Sequence, residues 1–83
     1  MAGKRYFVFG YDKDADIYEK ICSSPYLMRA RQLASSLILS NTDLRRQDTG
    51  EPFDWLVTTR SEDPMGQDQV FSKDRPYSFQ PPS

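Results

Sequence analysis

Histidine is absent from this 83-residue chain, and cysteine occurs once, at Cys22. The first absence removes the commonest general base, together with Ser–His and Cys–His nucleophile pairs. The second removes any internal disulfide, so the fold is not a stapled secreted scaffold. Cys22 itself reads as a small buried hydrophobe rather than a reactive thiol. No apolar run approaches the roughly 18 residues of a membrane span. Met-Ala-Gly-Lys-Arg leads into a strand-like segment and not into a signal-peptide core. The expectation is a cytoplasmic protein that is not an enzyme and uses no membrane, metal or cofactor.

A strong charge of one sign is lacking too, since the net charge is −1. Its distribution is uneven: residues 1–46 hold eight cations against five anions, and residues 47–83 hold three against seven. Nucleic-acid binders are usually more basic, so nucleic acid is not the expected partner. A dipolar chain is compatible with head-to-tail or homodimeric association.

What is present is enough for one core. Phe7, Val8, Phe9, Ile17, Ile21, Leu27, Leu33, Leu37, Ile38, Trp55, Val57, Val70 and Phe71 supply large apolar groups to a single domain. Residues 4–12 read as an aromatic, β-branched strand in which Gly10 marks a bulge or a close approach. Residues 17–22 fit a returning strand better than a helix, because Ser24-Pro25 offers a helix start as N-cap and N1. From Pro25 to about Ser40, Leu27, Ala30, Leu33, Ala34, Leu37 and Ile38 recur at helical spacing, with Leu33 and Leu37 expected on the sheet and Asn41 as the stop.

Residues 53–60 alternate as a half-buried strand with Phe53, Trp55, Val57 and Thr59 on one face, and residues 69–73 form a short strand. The fold class is therefore α+β: a small antiparallel sheet of about four strands in the order β-β-α-β-β, with one amphipathic helix on a face. Residues 1–73 are expected to form the domain and residues 74–83 a Pro- and aromatic-containing tail.

Asp12, Asp14 and Asp16 match the first three ligand positions of a calcium loop, but Ile17 stands at the glycine position and Ser23 at the closing glutamate, so a solvated turn is expected. Phe7, Phe9 and Tyr11 share one strand face, which suits either core beneath the helix or a base-stacking platform. Arg29, Arg31, Arg45 and Arg46, with Tyr77 and Phe79 on the tail, are the candidate partner-binding residues, since arginine and aromatic side chains dominate binding hot spots. The expected function is a non-enzymatic protein-binding module. One concrete form is a phage or mobile-element accessory protein that inhibits a host complex such as a defence nuclease complex. The alternative is an accessory single-stranded nucleic-acid-binding protein that uses the aromatic face.

Overall fold

The computed structural model describes residues 5–40 and 44–77. Strands β1 (Tyr6–Asp12) and β2 (Ile17–Ser24) form a hairpin, helix α1 (Leu27–Leu39) follows, and β3 (Trp55–Thr59) and β4 (Gln67–Phe71) form a second hairpin. All neighbours pair antiparallel, in the order β2-β1-β3-β4. The α+β fold read from the sequence is the observed one. Among the described residues, no helix is long and apolar enough to cross a membrane.

Both edge strands carry a bulge, and both bulges serve the helix side. Val8 pairs with Cys22 and Phe9 with Lys20, which leaves Ile21 as the extra residue. Ile21 and Cys22 consequently face α1 together, although simple alternation assigns them to opposite faces. Asp68 is the extra residue between Gln67 and Gln69, opposite Thr59 and Thr58. The Thr58 hydroxyl repairs this second break, accepting from the Gln69 N–H at 3.1 Å and donating to Asp68 at 2.9 Å.

The helix starts later than its capping signal suggests. Strand pairing continues to Ser24, which lies opposite Tyr6, so Ser24 closes β2 instead of capping α1. Its hydroxyl accepts the Tyr26 N–H at 3.2 Å, and extended Tyr26 becomes the N-cap, its carbonyl receiving the Ala30 N–H at 3.0 Å. The expected stop at Asn41 lies outside the described residues.

The helix–sheet seam also differs from expectation. Ala30 and Ala34 are completely buried against Val8, Leu56 and Phe71, whereas Leu33 and Leu37 are half-buried at the margin. Small side chains let the helix axis approach the sheet, and the longer ones close the flanks. Ala34→Leu is therefore expected to destabilise the fold by about 1–3 kcal/mol through overpacking. Leu37→Ala should do less, and comparing the two denaturant midpoints checks the order.

Phe7, Phe9 and Val57 form a second cluster on the sheet face opposite the helix, not beneath it. Tyr18 and Trp55 flank it, with Tyr11 between them at centroid distances of 4.5 and 4.9 Å. Tyr18 and Gln67 lie at diagonal corners of the sheet. A flat sheet would place their Cα atoms roughly 20 Å apart, from three strand spacings and four residues. Yet Gln67 Nε2 donates to Tyr18 Oη at 2.7 Å. Strand twist has coiled the sheet until these corners meet over the aromatic face. Lys20 crosses the same face, 5.4 Å from the Phe7 ring centroid and 3.6 Å from Glu62.

With β1 and β4 on its flanks and side chains over both faces, β3 is buried from Leu56 to Thr59 rather than half-buried. Phe53 leaves the expected face altogether. Its ring lies on Gly10, where a Cβ would stand 2.5 Å from two ring carbons. Gly10 is thus a close-approach site, and the bulges lie on β2 and β4 instead.

Candidate interaction surfaces

The topology sorts the loops into two ends. One end gathers the start of β1, the β2–α1 junction and the β3–β4 loop, residues 60–66. The other gathers the β1–β2 turn, residues 44–54 and the chain after β4.

At the first end, Asp68 organises a cluster. Its side chain is 2% exposed and receives Arg31 Nε at 2.8 Å, Arg31 Nη2 at 2.7 Å, Arg60 Nη2 at 3.3 Å and the Thr58 hydroxyl. Burial pushes the Asp68 carboxyl up, but Arg31, Thr58 and Arg60 together outweigh it and hold it below the ordinary value. Arg31 continues to Met28, with Nη1 3.5 Å from the thioether sulfur. Tyr26, Met28 and Met65 are 71, 62 and 70% exposed at this end. The first helical turn contains no acidic residue, so Arg29 adds its charge to the positive end of the helix dipole.

At the opposite end, Arg46 is the organising group. Its side chain is 7% exposed, with Nη1 3.0 Å from Asp12 and a two-pronged contact to Asp48 at 3.0 and 2.6 Å. Hydrogen bonding to Arg46 holds both carboxyls below their ordinary value. The other Asp12 oxygen caps the turn by accepting the Asp14 and Ala15 N–H groups. Asp16 adopts a left-handed φ of 55° and accepts the Tyr11 hydroxyl at 2.7 Å, which pushes the Tyr11 pKa up to about 12. The calcium-like spacing thus becomes a turn whose Asp12 and Asp16 carboxylates serve separate partners. Among the described residues, no three Asp, Glu, Cys or His side chains are grouped to hold a metal ion.

The six residues expected at a partner surface do not converge. Arg29 and Arg31 lie at the first end, Arg29 exposed and Arg31 half-covered beside Asp68. Arg45 is exposed at the opposite end, donating to the Gly50 carbonyl at 2.9 Å. Arg46 is interior, because two carboxylates draw it in, so its placement on a displayed surface is corrected. Tyr77 is 69% exposed, and Phe79 lies outside the described residues. Tyr26, Met28, Arg60, Met65 and Asp68 escaped the sequence reading. Met28 falls off the apolar helical stripe, which was an available signal; the Arg31–Asp68 pair, 37 residues apart, gave none.

Two of the three rings of the expected stacking platform are covered, and Tyr11 is half-buried. Phe7 is 8% and Phe9 6% exposed, so neither offers a ring face to a base. Burial pushes the Cys22 thiol up, away from the reactive thiolate. No family model matches this chain, and neither does any curated protein or solved structure.

Proposed function

We propose that the protein is a non-enzymatic binding module that docks an acidic, partly apolar surface of a protein partner onto its first end. The observation that carries this reading is the exposure of Tyr26, Met28 and Met65 at the end that also holds the Arg31–Asp68–Arg60 cluster. Exposed methionine and tyrosine side chains gain by being covered, since each removes a large apolar area from water. Asp68 fixes Arg31 in place, so little side-chain freedom is lost when a partner arrives. Arg60, still 63% exposed, keeps donors for a partner carboxylate. Nothing in the fold singles out a host defence complex as that partner.

The test is photo-crosslinking in cells that express the protein, with a crosslinking residue at Tyr26 or at Leu39, the other end of α1. A discrete adduct is expected from Tyr26, and that same adduct is not expected from Leu39. Met28→Glu combined with Arg60→Glu should weaken capture of the crosslinked protein at least about tenfold, or 1.4 kcal/mol. Capture unchanged by that pair in a folded protein rejects the surface.

A further inference from the structure

Two depressions adjoin at the second end. One, of about 500 Å³, lies between the C-terminal half of α1 and the segment around Phe53, with Leu37, Ile38, Leu44, Phe53 and Leu56 supplying apolar lining. The other, of about 390 Å³, lies against the β1–β2 turn and is lined by Asp12, Asp14, Glu51 and Asp54, with Arg46. They meet at Pro52 and Asp54, which line both. The first falls within the roughly 300–1,000 Å³ typical of ligand pockets, large enough for a single aliphatic or aromatic side chain.

The charge of this groove is one-sided. Among the described residues, its combined lining carries five carboxylates against two cations, Arg46 and Lys73. Arg46 is already committed to Asp12 and Asp48. One Asp54 oxygen accepts the Lys13 N–H at 2.8 Å, which fixes that carboxylate at the junction of the two depressions. The exposed Asp14 and Glu51 stand beside it in the acidic depression.

We infer that this groove binds a protein segment that presents an apolar side chain followed closely by an arginine or lysine. The apolar side chain enters the cleft beside Leu37 and Phe53, and the cation passes over Pro52 to Asp54, Glu51 and Asp14. Neither half alone specifies such a segment. The apolar cleft excludes purely cationic ligands from full contact, and the acidic depression repels a carboxylate at the second position. This site is independent of the surface proposed above, because it lies at the opposite end of the sheet.

The experiment is a backbone-amide NMR titration of the full chain with acetyl-Leu-Ala-Arg-amide. Saturable shifts are expected at Leu44, Phe53, Asp54 and Leu56. Binding should weaken at least fivefold when the probe is changed to acetyl-Leu-Ala-Glu-amide or acetyl-Ala-Ala-Arg-amide, with a millimolar dissociation constant as the starting scale. The pair Asp14→Asn and Glu51→Gln keeps side-chain shape, and should weaken the arginine probe about fivefold while the glutamate probe, relieved of repulsion, binds more tightly. Three results overturn the inference: no saturable shift up to about 10 mM, a range that covers weak segment binding; equal response to the glutamate or alanine probe; or shifts centred on Tyr26 and Met28.

Discussion

Gly10→Ala is expected to lower the melting temperature by roughly 10–20 °C, a large loss for a single methyl group. The added Cβ would stand 2.5 Å from Cγ and Cδ2 of Phe53 and 2.7 Å from Cδ1, distances at which something has to move. Movement is restricted on both sides. Gly10 is held between Glu19 and Leu56 in the middle of β1, and Phe53 is tied by the Phe53 N–H to Leu44 carbonyl contact and by Asp54 N–H donating to Tyr11 at 2.8 Å. Overpacking of this kind costs about 1–3 kcal/mol, and each kcal/mol shifts the midpoint of so small a domain by about 4–8 °C. Phe53→Ala should also destabilise, by removing a ring that lines the groove. The double variant should be less unstable than the sum of the two single changes, because the methyl then occupies the space the ring left. Strict additivity would show that the ring and the glycine do not constrain each other.

The second large effect separates two adjacent arginines. Arg45→Glu should leave thermal stability nearly unchanged, since Arg45 is exposed. Arg46→Glu should lower the melting temperature by on the order of 10 °C or more, because Asp12 is left interior without its cation beside a new like charge. Arg46→Met is the gentler control, removing the charge while keeping the stem. This cluster and the one around Asp68 together set the acid limit. Asp12, Asp48 and Asp68 all have folded-state values below the ordinary 3.8. Carboxyls lowered in this way contribute stability that is complete above the unfolded value and lost as pH falls through the folded one. Stability should thus be flat near neutral pH and fall steeply below about pH 4, with a shallower fall in Asp12→Asn. An equal response of Arg45→Glu and Arg46→Glu, or no acid dependence, contradicts this account.

Arg45 and Arg46 also show what local sequence can and cannot say. Neighbouring arginines in a polar segment look alike, and the two here face different environments. The isolated bridge between Arg45 and Pro52 closes the 44–54 segment, and the turn inside it carries Asp48 back to Arg46. Asp12 arrives from the first hairpin, 34 positions earlier. No local pattern encodes that meeting. Asp68 is similar: its acidic neighbours Glu62 and Asp63 are exposed, and only the bulge after Gln67 turns it inward toward Arg31.

The sequence by itself determined the element order, the strand character of residues 17–22, the helical stripe and the common face of Phe7, Phe9 and Tyr11. These follow from side-chain periods of 2 and 3.6 and from the backbone preferences of glycine, proline and β-branched residues, all of which act over a few positions. Tertiary structure decided the rest. It extended β2 to Ser24, the expected cap, brought two bulges' side chains to the helix, seated the helix on Ala30 and Ala34, and chose which arginines lie inside. It also coiled the sheet until Tyr18 met Gln67, and covered Phe7 and Phe9 on the aromatic face that the strand pattern had left open. The physical reason is that strand register, sheet twist and ion pairing are set by groups tens of residues apart, whose free energies are realised only once the chain has brought them together.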